Sequence, residues 1–184
     1  MITVAGGDSF VWGSELADSS HGGPGGWSTS TFPALLSGAG YRCAAYPGSS
    51  NRDIANNVIV SCKGFNPAMV IVCWTWATRD NELDSDSHIS RLENYLNEHQ
   101  IGYMFTCADN CIITGKLDYS NWFMFPPATE SWLTIEPRGF YQWAVENKYL
   151  VGPENHPLEQ AHIDASKLMQ GKFNELVKKH LQSH

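Results

Sequence analysis

Four short apolar runs, at residues 2–5, 41–45, 69–74 and 101–107, alternate with stretches whose apolar residues recur at helical spacing. Between the second and third runs, Ile54, Val58 and Cys62 fall at i, i+4 and i+8. This is the single apolar face of a helix that packs on a sheet. Between the third and fourth, Ser87 caps a segment running to His99 with Ile89, Leu92 and Leu96 on one side. After the fourth, residues 158–181 form the longest helical pattern. Ala165, Met169, Phe173, Leu176 and Val177 are its apolar positions, with Lys178 and Lys179 near its negative C-terminal end. Run 69–74 has no polar alternation, as a parallel strand covered on both faces requires, so it is the expected central strand. A further helix is expected within 27–36, where Pro33 restricts it to a short or late-starting one, and another at 140–149. The order β-α-β-α-β-α-β predicts an α/β fold, a three-layer α/β/α sandwich around a central parallel sheet. At 184 residues and 42% hydrophobic content the chain suits a single domain, 1–184. Residues 109–137, rich in aromatics and carrying Pro126-Pro127, have no clean period and read as an irregular insertion.

Charge narrows the partners. Twelve Lys and Arg against 19 Asp and Glu give a net charge of −7, with no basic stripe for a phosphate backbone, so no nucleic-acid partner is expected. The start, Met1-Ile2-Thr3-Val4-Ala5-Gly6-Gly7, lacks a basic n-region and an apolar h-region, and run 68–74 is far short of a membrane span. The expected location is cytoplasmic, without a membrane partner. Five cysteines (Cys43, Cys62, Cys73, Cys107, Cys111), three of them in apolar segments, suggest buried thiols in place of a disulfide framework.

Chemistry concentrates at the two ends of the chain. Gly7-Asp8-Ser9-Phe10 follows the first strand, where an open parallel sheet presents its ligand crevice. Serine is a weak nucleophile at neutral pH and needs a base and donors for the developing oxyanion. Asp-Ser after Gly-Gly is also ordinary turn chemistry, but Glu154-Asn155-His156-Pro157 sits in a loop before the last helix and offers the base. His156 is expected to take the Ser9 proton, with Glu154 the nearest carboxylate to orient it. Glu159 and His162, at i and i+3, form an alternative pair; for His162 alone, capping or packing of the helix is the simpler role.

With these motifs in this order across nearly the whole chain, the sequence resembles the SGNH hydrolases, also called GDSL-like esterases. The resemblance implies that Ser9 is the nucleophile and that its amide contributes to the oxyanion hole. Pro47-Gly48-Ser49-Ser50-Asn51 is similar to the second block of that family, which assigns an oxyanion amide to Gly48 and leaves Asn51 as a helper or helix cap. The third block usually reads Gly-x-Asn-Asp, whereas Cys73-Trp74-Thr75-Trp76 stands here, so Thr75 falls where the third donor would be. The last block usually reads Asp-x-x-His; here Glu154 precedes His156 by two. The resemblance implies a serine esterase without cofactor or metal, and a small-molecule or glycan ester as substrate. An O-acetyl or other short acyl ester on a carbohydrate is the expected bond, as in the small bacterial and phage members, which also makes a phage particle a possible setting. Trp12, Trp74 and Trp76 are candidate faces for stacking a sugar ring. The alternative from another class is a non-catalytic glycan-binding or structural module that retains the scaffold.

Two weaker patterns have simpler explanations. Cys107-x3-Cys111 with Asp109 lacks a second ligand pair at zinc spacing. The acidic stretch 80–86 lacks the glycine and terminal glutamate of a calcium loop and reads as solvated loop.

Overall fold

The computed structural model describes residues 1–20, 25–80, 85–128 and 136–182. Residues 81–84 of the acidic stretch, the segment 21–24, and 129–135 of the expected insertion, Trp132 among them, lie outside the described residues.

Strands β1 (Thr3–Gly6), β2 (Tyr41–Cys43), β3 (Met69–Trp74) and β4 (Gly102–Cys107) form an all-parallel sheet in the order β2-β1-β3-β4. In register, Ala5 lies opposite Cys43 on one side and Ile71 on the other, and Ile71 opposite Met104. Alternation along the strands divides the core into two layers. Ala5, Met69, Ile71, Cys73 and Met104 face a cluster that contains Phe32, Phe140, Trp143, Ala165, Met169 and Phe173. These come from α2 (Phe32–Ser37), α5 (Phe140–Glu146) and α6 (Glu159–Gln182). Val4, Val70, Val72, Trp74 and Phe105 face the opposite cluster, with Ile54 and Val58 of α3 (Asn51–Phe65) and Ile89, Leu92 and Leu96 of α4 (Ser85–Glu98). The chain is a three-layer α/β/α sandwich.

Helix limits follow local chemistry. Pro33 stands in the first turn of α2, so that helix begins at Phe32, well after Trp27. Ser50 and Asp53 close a reciprocal capping box on α3, and Asn66 ends it in a left-handed conformation. A short helix that the strand pattern did not announce, α1 (Ser9–Trp12), starts directly after β1, capped by the Asp8 side chain on Phe10 N. Between 121 and 125 the chain runs beside β4 and bonds to it, with Phe123 N donating to Phe105 O. No helix among the described residues is long and apolar enough to cross a membrane.

The first crossover leaves β1 on one side and the next strand joins on the other. The C-terminal ends of β1 and β3 therefore flank the point where strand order reverses, which is where open α/β sheets bind ligands. Ser9 and Thr75 follow those two ends.

Candidate active site

Ser9 is the first residue of α1, so its backbone N–H has no helical partner and faces outward from the helix start. Its hydroxyl forms no hydrogen bond among the described residues. The N-terminal end of even a short helix favours negative charge, which suits an oxyanion forming there.

His156 lies in the turn before α6, its ring meeting the edge of Phe10 at 5.5 Å, beside the residue that follows Ser9. The carboxylate on its Nδ1 is that of Glu15, at 2.7 Å. Glu154, the acid expected from spacing, is exposed and contributes only its backbone N–H, which donates to both Glu15 oxygens at 3.1 Å. The His156 backbone N–H also donates to Glu15, at 3.3 Å. Desolvation acts to raise the Glu15 carboxyl, but the bonds from Glu154 N, the His156 ring and His156 N together hold it below the usual glutamate value. An ionised carboxylate only accepts, so Nδ1 carries the ring proton and the neutral ring keeps its lone pair on Nε2. That is the tautomer a general base requires.

Two backbone features permit this pairing across 141 residues. Glu15 adopts φ 68°, which turns it back from the end of α1. Opposite it, a Cβ on Gly152 would stand 2.5 Å from the Glu15 carboxyl carbon, so only glycine leaves room for the carboxylate. The sequence carried no helical or strand periodicity at Glu15 to mark it; its only signal was a carboxylate in a Gly13-Ser14 turn just past Ser9 and α1.

The second expected pair does not form. Glu159 accepts from Ala17 N at 2.8 Å. His162 is buried, and its Nδ1 accepts from Phe32 N at 3.2 Å, filling the place of a side-chain cap on α2. Burial drives its pKa down to about 3, with the neighbouring His156 adding to the effect and a bond to the Pro157 backbone opposing it.

Thr75 requires a correction. Its hydroxyl donates to Asp8 Oδ2 at 2.7 Å and its backbone N–H donates to Asn51 Oδ1 at 2.9 Å. Both of its protons are committed, so it supplies no oxyanion donor. Asn51 is likewise neither cap nor helper at the hole: buried at the start of α3, it clamps Thr75 and reaches Ser85 Oγ at 3.0 Å, while Ser50 does the capping. Asp8 is fully buried and receives Phe10 N on Oδ1 and the Thr75 hydroxyl on Oδ2, with Arg79 Nη1 at 3.5 Å. The function of Thr75 is to hold Asp8, which holds the start of α1. Replacing Thr75 by valine keeps the shape and removes the hydrogen bond to a buried carboxylate oxygen, leaving it only the longer Arg79 contact, so we expect a loss of about 1–3 kcal/mol in urea unfolding. An unchanged midpoint would show that Asp8 does not need the hydroxyl.

Gly48 has φ +78°, which favours glycine, and it is exposed with no atom near where a Cβ would be. Its N–H has no partner among the described residues. Its loop is tied to the turn that carries Ser9 by Tyr46 N donating to Gly7 O at 3.3 Å. Of the tryptophans, Trp12 packs against Tyr46 with ring centroids 5.6 Å apart, and Trp76 meets Phe10 at 5.6 Å under the Arg79 guanidinium. Trp74 is wholly buried in the opposite layer against Phe105 and lines no site. Cys107 is buried and Cys111 exposed, and no group of three or more His, Cys, Asp or Glu among the described residues is placed to hold a metal ion.

No protein-family model matches the chain, and no curated protein matches it in sequence. Solved structures do. The psychrotrophic esterase EstA from Pseudoalteromonas sp. aligns over 98% of both chains with a TM-score of 0.61 and 11% identity. An acetylxylan esterase from Geobacillus stearothermophilus aligns over 93% of both with 0.60 and 13%. A Desulfitobacterium hafniense DCB-2 protein assigned to a lipolytic G-D-S-L family aligns over 92% of this chain and 98% of its own, with 0.54 and 14%.

Proposed function

Because the chain has the fold of the SGNH hydrolases, we propose that it is a serine esterase whose triad is Ser9, His156 and Glu15. The observation that carries this reading is the Glu15–His156 bond, which fixes the histidine tautomer beside the residue next to Ser9. His156 Nε2 takes the Ser9 proton as Oγ attacks the ester carbonyl. The oxyanion accepts from the Ser9 and Gly48 N–H groups, and His156 then protonates the departing alkoxide. Water, deprotonated by the same imidazole, releases the acid from the acyl-serine. Apo hydrogen bonds of catalytic groups tighten when substrate arrives, so the unbonded Ser9 hydroxyl is consistent with the scheme. With Thr75 committed to Asp8, the hole has two backbone donors, and one missing donor slows turnover by about 10²–10³-fold.

The substrate we propose is an O-acetyl or other short acyl ester on a carbohydrate, a reading supported by structural neighbours that act on acetylated polysaccharides. Acetate release from acetylated oligosaccharides, compared with release of octanoate from octanoyl esters, tests it. A higher kcat/KM for acetyl esters is the expected result, and a preference for the long chain would overturn it. The two-donor hole also favours a second reading, glycan binding without turnover, which predicts saccharide binding unaffected by Ser9→Ala and no ester cleavage.

A further inference from the structure

Tyr46 is the large aromatic of the site that no packing role explains. It is 56% exposed, while the ring that supports it, Trp12, is buried. The two rings lie with centroids 5.6 Å apart and planes 31° apart, so Trp12 backs Tyr46 and holds its orientation. The tyrosine backbone is also fixed at both ends. Its N–H donates to Gly7 O, and its C=O accepts from Ser49 N at 3.2 Å. Pro47 then restricts the chain leading into Gly48. The tyrosine hydroxyl has no partner among the described residues.

This position has chemical meaning. Trp12 is three residues after Ser9 on α1 and so on the same side of that helix. Tyr46 is two residues before Gly48. The exposed ring therefore belongs to the segment that joins the turn of the proposed nucleophile to the proposed oxyanion amide, on a mount fixed by two backbone hydrogen bonds and a buried ring. A rigid aromatic platform offers a polarised π face to the axial C–H groups of a pyranose at little entropic cost, and its free hydroxyl can bond to a ring substituent.

We propose that Tyr46, backed by Trp12, is the stacking platform for the sugar ring that carries the ester, and so a specificity-determining residue. This rests on the esterase reading above and assigns the stacking face to Tyr46, keeping Trp12 of the three tryptophans that the sequence suggested only as its buried support. Stacking strength of this kind corresponds to about tenfold in kcat/KM.

The test compares wild type, Tyr46→Ala and Tyr46→Phe on acetylated xylo-, manno- and gluco-oligosaccharides and on ethyl acetate, which has no ring to stack. Because Tyr46 is exposed, its replacement leaves the core intact, which circular dichroism verifies. The expected result is a fall of about tenfold in the saccharide-to-ethyl-acetate ratio of kcat/KM in Tyr46→Ala, with Tyr46→Phe retaining most of it. An unchanged ratio, or a wild type that cleaves ethyl acetate but none of the saccharide esters faster, overturns the platform and leaves the esterase standing. If wild type cleaves no ester, the esterase reading fails, and calorimetric titration with the unacetylated oligosaccharides decides the platform. Binding that Tyr46→Ala abolishes supports it; no binding, or binding that survives, overturns it.

Discussion

His156→Ala lowers kcat by about 10⁶-fold while the protein stays folded, whereas His162→Gln keeps most of its turnover. The contrast follows from what each ring touches. His156 projects from a turn against Phe10, with its Nδ1 on a carboxylate and its Nε2 unbonded, so its loss removes the base that Ser9 needs. His162 is inside the protein with its Nδ1 on Phe32 N, so its loss uncaps α2. A pH signature separates them further. Unfolded His162 titrates near 6.5, while burial holds the folded group at about 3. Between these values the unfolded state binds the extra proton, so the His162 contribution to stability is intact above about pH 6.5 and is lost as pH falls toward 3. Melting temperatures of His162→Gln should therefore decline less steeply through that window than those of wild type. Equal slopes, or a severe kcat loss in a folded His162→Gln, would contradict the assignment.

Glu15→Gln lowers kcat by about 10⁴-fold, and Glu154→Gln leaves it within about twofold. A glutamine side chain nearly reproduces the shape of Glu15, yet its amide can donate to Nδ1. The ring proton then moves to Nε2, and the lone pair that accepts the Ser9 proton is lost. Glu154 meets the dyad only through its backbone N–H, which its side chain does not affect. Steady-state kinetics on a short acyl ester, with melting temperatures as a check on folding, measure both. Reversed severities would return the acid to Glu154.

These two predictions mark where the sequence stopped being legible. Strands and helices were readable because they obey local periods: Met69 to Trp74 is one apolar run, and Ile54, Val58 and Cys62 share a face. Ser9, Gly48 and His156, on which the proposed site is built, were picked out because each belongs to a short motif at an element end. Glu15 was not, since a positive φ and a glycine 137 residues away bring it to His156, and neither leaves a pattern in composition. The Thr75 reading failed on a count of protons, because a hydroxyl has one proton and buried Asp8 takes it. Trp74 failed on strand alternation, because its neighbour Cys73 faces one layer and Trp74 the other.

The central claim is that Ser9 is a nucleophile activated by a Glu15-held histidine, and covalent capture tests it most directly. Folded wild-type protein and the Glu15→Gln variant are incubated with an ethyl phosphonate probe, digested, and mapped by mass spectrometry. The account predicts a single phosphonylated peptide modified at Ser9 in wild type, with labelling slowed by orders of magnitude in Glu15→Gln. A folded wild type that stays unlabelled at Ser9, under conditions where a control serine esterase is fully modified, would contradict it.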